Sequence, residues 1–320
     1  MNNRLSVKEA AGIVSRSPLF SLVYHQNPDG DCLGSCLAMY HWLKKGSKQV
    51  EIIDDQGFIP KTYQEEFASL PIVTSEKAFK ESLLVLLDCA EGKRTTIQHP
   101  DLFFASREVL VIDHHQSAEK TAFPAWIQTD AAATGEMLAE LFQEIPEWKN
   151  DLSSRFCFVA IASDTNFFRY ANTTSKTLHT VADLAQDPSE IDRCYFQNTT
   201  LLDTTLMGSV LQRTSQEDGI LFTWITAEEF HVLQVHEKSA EILEHLQKIQ
   251  GEHLILLFKE VAADRWRVSL RQKGMKEDLS HFAEAFAGGG HKDAAAFAIR
   301  GSWEQVKNTV FSAWKETHGA

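Results

Sequence analysis

Residues 20–40 read FSLVYHQNPDGDCLGSCLAMY, and the change of character near residue 25 decides the fold. The apolar run at 20–24 suits a buried strand. Asn27-Pro28-Asp29-Gly30 is turn chemistry, with Pro fixing one φ and Gly freeing another. Helical spacing resumes at 33–45, and Asp31 is placed to cap a helix that starts at Cys32. Strand, tight turn and helix in so short a span form the first unit of a wound α/β sheet. The same turn carries His25, Asp29 and Asp31. Alone, it is either a well-made turn or half of a metal site, and the stretch leaves both readings open.

Outward from this unit the same grammar recurs. Further apolar runs fall at 50–53, 83–87, 108–112 and 126–128, with helical patterns at 61–70 and 131–144. The runs are continuously apolar rather than alternating, as parallel strands covered on both faces are. Two more helical stretches follow at 152–163 and 174–186, and Pro188 breaks the pattern. Beyond it, strands are expected at 219–225, 253–259, 265–271 and 296–299, with a turn near 262–264. Helices are expected at 238–249, 279–286 and 303–314. The pattern predicts an α/β chain in three parts: a doubly wound, mainly parallel sheet domain at 1–190, a helical connector at 191–212, and a smaller α+β domain at 213–320. The active site is expected in the cleft between the two domains, where ligands of open α/β sheets bind outside the strands' carboxyl ends.

The chain has 320 residues, 43% of them hydrophobic, which is ample for two cores. Its formal net charge of −13 argues against holding long duplex nucleic acid, whose affinity comes from many Lys and Arg contacts. A short anionic substrate is compatible, because a few cations override the global field locally. Five cysteines are no disulfide framework and point to a reducing cytoplasm. The first residues, MNNRLSVKEAAGIVSRS, lack the apolar core of a signal peptide, and no run suits a bilayer span.

The acids and imidazoles fall where the apolar runs end. After 19–24 come His25, Asp29 and Asp31; after 83–87, Asp88; after 108–112, Asp113, His114 and His115; Asp164 closes a helical stretch. Each has an ordinary reading: Asp88 could cap a helix, and Cys32 and Cys36 could be small buried hydrophobes. Together on one rim, four or more carboxylates would repel and take up protons unless cations were present. An oxygen-rich donor set with two or three imidazoles favours manganese or magnesium over structural zinc, and its size suits two ions.

These residues, in this order, resemble the DHH phosphoesterase superfamily. HQNPDGD is similar to its first motif, DCAE to its second, DHH to its third and ASDT to its fourth. GGGHKDAAAFAI is similar to the signature of its associated C-terminal domain. The resemblance runs nearly the whole chain and is nearest the bacterial nano-RNase/pAp phosphatase type. It implies His25 and Asp29 at one manganese, Asp31, His114 and Asp164 at the other, and Asp88 bridging as a catalytic residue. Magnesium or cobalt could substitute. His115 would face the scissile phosphate as a catalytic and substrate-binding residue, with Asp113 fixing the aim of a neighbouring imidazole. Two departures stand out: Cys89-Ala90-Glu91 where a hydroxyl residue or Gly commonly follows the second motif's Asp, and Ala296 where a Gly is common.

The chemistry expected is hydrolysis of a phosphate ester by a water activated between two ions. In the second domain, Gly288, Gly289, Gly290, His291 and Arg271 are expected to take the far end of the substrate, with Arg267 a weaker candidate. The expected substrates are short single-stranded oligonucleotides or a nucleoside bisphosphate such as pAp. No membrane partner is expected, and a homodimer is left open. Rival readings are a phosphodiesterase for cyclic or linear dinucleotides, a manganese pyrophosphatase, and a nucleotide-binding module without turnover.

Overall fold

A computed structural model describes residues 3–105, 107–197, 199–232 and 239–318, without the side chains of 230–232, 239, 240, 291 and 318. The chain divides into two compact units, Met1–Asn198 and Thr199–Ala320. The first holds a six-stranded sheet built from β1 (Leu19–Val23), β2 (Gln49–Ile53), β3 (Ile72–Val73), β4 (Leu83–Leu87), β5 (Val109–Asp113) and β6 (Ala125–Ile127). All its pairings are parallel, in the order β3-β2-β1-β4-β5-β6. The chain winds outward from β1 in one direction, then returns to lay β4 on the other side of β1. The β1/β4 boundary is therefore the topological switch point, where the loops leaving neighbouring strands diverge and open a crevice.

Both faces of this sheet are covered, so its strands carry no polar alternation. Phe20, Leu22, Val85, Leu87, Leu110 and Ile112 pack on one face with the helices Gly30–Lys45, Thr134–Glu144 and Asp151–Asp164. Val23, Leu84, Leu86 and Val111 face the opposite layer. Helix Gly30–Lys45 crosses helix Asp151–Asp164 closely at Gly34. A Cβ there would lie 2.9 Å from the Phe156 carbonyl oxygen and 3.0 Å from Ala160 Cβ. Gly34→Ala is expected to destabilise the first unit by about 1–3 kcal/mol, because the crossing must spread. Urea denaturation followed by fluorescence reads it, and an unchanged midpoint would rule out so close a crossing.

Several local expectations are revised. Helix Gly30–Lys45 is capped by Asp29, whose side chain accepts from the Cys32 N–H, and not by Asp31. The helical pattern at 61–70 is a 3₁₀ turn, Lys61–Tyr63, and a short helix, Gln64–Phe67. The helix expected from 131 starts at Thr134. The helical character expected over 191–212 is present, as a π-helical turn, Asp192–Phe196, and the helix Leu201–Gln212, whose Val210 packs in the second unit.

The second unit has its own six-stranded sheet: β7 (Ser215–Glu217), β8 (Ile220–Ile225), β9 (His253–Ala262), β10 (Arg265–Lys273), β11 (Gly289–His291) and β12 (Ala294–Arg300). The order is β11-β12-β10-β9-β8-β7, antiparallel except for the parallel pair β8/β9. Trp266, Val268, Leu270 and Phe297 pack on one face with the helices Leu279–Glu284 and Trp303–His318. The helix expected over 238–249 is described from Ser239 to Gln247; Lys238 lies outside the described residues. Among the described residues, no helix is long and apolar enough to cross a membrane.

Candidate metal centre

β1, β4 and β5 are neighbours, so the residues following them meet on one rim. His25 follows β1, Asp88 follows β4, Asp113 ends β5, and His114 and His115 follow it. The helix Gly30–Lys45 brings Asp29 and Asp31 from its first turn, and Asp164 is the last residue of helix Asp151–Asp164. Asp88 has φ of 57°, a left-handed conformation that a non-glycine residue adopts only where its surroundings enforce it. Its amide N–H donates to the Ile112 carbonyl, tying that turn to β5.

All six side chains expected as ligands stand together, in two groups that share Asp88. In one group, His25 Nε2 lies 3.5 Å from Asp88 Oδ2 and 3.9 Å from Asp29 Oδ1. In the other, His114 Nε2 lies 3.6 Å from Asp88 Oδ1, 3.7 Å from Asp31 Oδ2 and 3.3 Å from Asp164 Oδ2. One carboxylate thus turns an oxygen to each imidazole. Asp113 Oδ1 accepts from the backbone N–H of His115 at 2.9 Å and sits 2.8 Å from His115 Nδ1. That pins the ring and leaves Nε2 as its outward nitrogen.

The electrostatics are those of a site built around positive charge. Burial, and then repulsion from Asp88, Asp164 and Asp29, push the Asp31 carboxyl well above its ordinary range. Burial lowers the His114 pKa, but the Asp164 contact and the Asp88 and Asp164 charges outweigh it and lift the ring to about 9. Burial likewise opposes the ionised Asp88, and the three surrounding imidazoles outweigh it and lower its pKa. A fit to a divalent ion rests on His114. Its Nδ1 is 3.2 Å from the Ala131 carbonyl, which fixes the tautomer, and its buried Nε2 has no hydrogen-bond partner. Three carboxylate oxygens face that nitrogen, so it must carry either a proton or a cation: a bare lone pair there would be repulsive. Carboxylates with imidazoles are the donors that hard and intermediate divalent ions take.

Several supporting groups carry no motif in the sequence. Asp31 accepts from Thr134 N at 2.7 Å, Gly135 N at 3.0 Å and Ser35 Oγ at 3.1 Å. Helix Thr134–Glu144 has no side-chain cap of its own, so a carboxylate from another helix caps it. Cys32 is fully buried, and its sulfur lies among the candidate donor atoms of His25 and Asp88. Cys89, the first of the departing residues, is buried and turned toward the Glu91 carbonyl.

The second unit gathers cations on one sheet face. Lys259 is directly opposite Arg267 across the β9/β10 pair, and Arg271 lies on the same face four residues on. Burial, together with Arg267 and Arg271, pushes the 5%-exposed Lys259 down to about 8. Lys259 belongs to no motif in the sequence; its signal is a lysine in register with the arginines of the next strand. Gly289 and Gly290 lie in the edge strand β11, and Gly288 directly precedes it. A Cβ on Gly288 would lie 2.4 Å from the Ala296 carbonyl oxygen, and one on Gly290 2.4 Å from that of Ala294. Only Gly289 faces open space. The side chain of His291 lies outside the described residues.

A partly buried cluster of carboxylates and imidazoles at the switch point of a wound sheet, followed by a mixed-sheet unit, defines a hydrolase of the metal-dependent phosphoesterase class. Residues 20–162 match the N-terminal domain of the DHH family and residues 229–316 match the DHHA1 domain. The chain belongs to the DHH family and carries its DHHA1 domain. It is similar to the bifunctional oligoribonuclease and PAP phosphatase NrnA of Thermus thermophilus, at 28% identity over 91% of this chain and 88% of that protein. The protein of the same name in Bacillus subtilis is 28% identical over 88% of this chain and 89% of its own. A crystal structure of an exopolyphosphatase-related protein from Bacteroides fragilis matches with a TM-score of 0.82 at 21% identity, over 97% and 95% of the two chains. That likeness speaks to the fold alone.

Proposed function

We propose that this phosphoesterase hydrolyses short oligonucleotides to mononucleotides, and the nucleoside bisphosphate pAp to AMP, with two manganese ions held by His25, Asp29, Asp31, Asp88, His114 and Asp164. The observation that carries the reading is the division of the Asp88 carboxylate between the His25 and His114 groups. One ion would need no such shared ligand. The names of the similar NrnA proteins, matched over about nine tenths of this chain, favour the nucleotide substrates.

When bound, the ions supply Lewis-acid activation of water and neutralise charge on the phosphoryl oxygens. The remaining work falls to the chain. Asp113 holds His115 Nδ1, so Nε2 is the atom available to the leaving oxygen. The Asp113 contact raises the His115 pKa, and burial lowers it less. His115 therefore donates the proton that the leaving oxygen needs. Arg271, Arg267 and Lys259 supply positive charge for a substrate phosphate, and Gly289 leaves room for one beside the sheet.

The test is hydrolysis of pAp, a linear dinucleotide, a cyclic dinucleotide and pyrophosphate, each with manganese and the full chain. Mononucleotide from the linear dinucleotide, or AMP from pAp, supports the reading. Turnover of pyrophosphate alone, or of the cyclic dinucleotide alone, overturns it. In the same assay Arg271→Ala is expected to raise KM about 10–100-fold while kcat changes little, because one charge-assisted contact is lost in substrate and transition state alike.

A further inference from the structure

The segment leading into helix Thr134–Glu144 touches three of the six side chains without supplying one. Ala131 turns its carbonyl to His114 Nδ1, and Thr134 N and Gly135 N donate to the two oxygens of Asp31. Thr134 makes a third link. Its hydroxyl, fully buried, donates to Asp88 Oδ1 at 3.0 Å. Threonine at the start of a helix ordinarily turns its hydroxyl to nearby backbone. Here it reaches past the end of β4 instead. The segment is itself pinned from behind: Glu136 Oε2 accepts from Ala132 N and from Thr177 Oγ1, and Asn172 Nδ2 donates to the Ala132 carbonyl.

Asp88 Oδ1 is the oxygen facing His114 and His115, and Oδ2 the one facing His25. A donor fixed on Oδ1 sets the plane of the carboxylate, and so decides that each group receives one oxygen. We propose that Thr134 is the positioning residue of the shared carboxylate, its hydroxyl holding Asp88 so that two divalent ions bind as a coupled pair. The inference rests on the two-ion reading above and names the residue that makes it geometrically possible. Thr134 touches no reacting atom and acts through Asp88.

The test compares Thr134→Val, which keeps the shape and removes the donor, with Thr134→Ser, which keeps the donor. Each full-length protein is titrated with manganese by calorimetry and followed by electron paramagnetic resonance. In the parent protein the second ion should give an exchange-coupled pair signal. In Thr134→Val the first ion should bind near-normally, the second about 10–100-fold more weakly, and the coupled signal should vanish. Thr134→Ser should restore both, which a merely structural role for the methyl group would not predict. Thr134→Ala, with no added bulk, takes the place of the valine protein if that fails to fold. A hydroxyl-free protein that keeps the coupled signal and both affinities overturns the assignment while leaving the two-ion reading intact. A parent protein that binds a single uncoupled ion overturns both.

Discussion

Asp88→Asn should reduce kcat/KM by at least about 10³-fold, the several kcal/mol that a correctly held cation contributes to transition-state charge. The two side chains have the same shape, so the loss is one of charge and donor type. Asp88 faces His114 and His115 with Oδ1 and His25 with Oδ2. An amide keeps one acceptor and turns an N–H₂ group into the other position, where it opposes an ion. Both groups are therefore damaged by one substitution. Loss of fold would produce the same kinetic result, and the metal-free protein separates the two. In that protein the ionised Asp88 repels Asp31 but is itself held by three imidazoles that lower its pKa, so removing its charge should lower the thermal midpoint in a chelator modestly while a cooperative transition is kept. Near-parental turnover by Asp88→Asn would sink the shared-carboxylate mechanism. A midpoint that collapses in chelator would reassign the residue to folding.

How much of this site the sequence discloses depends on where each residue's partners lie. His25, Asp88, His114 and His115 are legible because each follows an apolar run, and parallel strands deliver their carboxyl ends to one rim. The strand runs at 83–87 and 109–113 are read almost to the residue, since a strand buried on both faces has no polar interruption to blur its ends. The exchange of roles between Asp29 and Asp31 is not legible. Both stand where a cap can stand, and the choice is made by Thr134 N and Gly135 N, about a hundred residues away, which draw Asp31 inward. The true start of helix Thr134–Glu144 is hidden for the same reason: its cap comes from another helix, and Ala131-Ala132-Ala133 looks locally helical. β3, two residues long, is too short for any periodicity. The packing reason for the glycine triplet is not legible locally, because the close approach of β12 to Gly288 and Gly290 lies in the partner strand. Local pattern discloses what a residue can do, and long-range hydrogen bonds decide which of two equal candidates does it.

Manganese affinity should rise steeply with pH, about tenfold per unit from pH 6.5 to 8.5, and level off near pH 9. Without an ion, the carboxylates around His114 lift its pKa to about 9, so the ring is protonated throughout that interval. An ion requires the Nε2 lone pair and must displace that proton. One displaced proton gives one decade per pH unit below the pKa and none above it. The sign for the metal-free fold is the reverse. A ring whose folded pKa lies above its unfolded value of about 6.5 adds stability that is complete below that value and is lost as pH climbs toward 9. The metal-free protein should therefore soften with rising pH while the metal-bound protein firms, and the gap between their thermal midpoints should widen. Calorimetric titrations in two buffers of different ionisation enthalpy count the released proton directly. The raised Asp31 carboxyl can only steepen the slope at the acid end, because any proton it keeps must also leave. Affinity that is flat between pH 6.5 and 8.5, with no proton released, would mean that the His114 nitrogen is not a ligand. The cluster would then need another account of why a buried imidazole nitrogen faces three carboxylate oxygens.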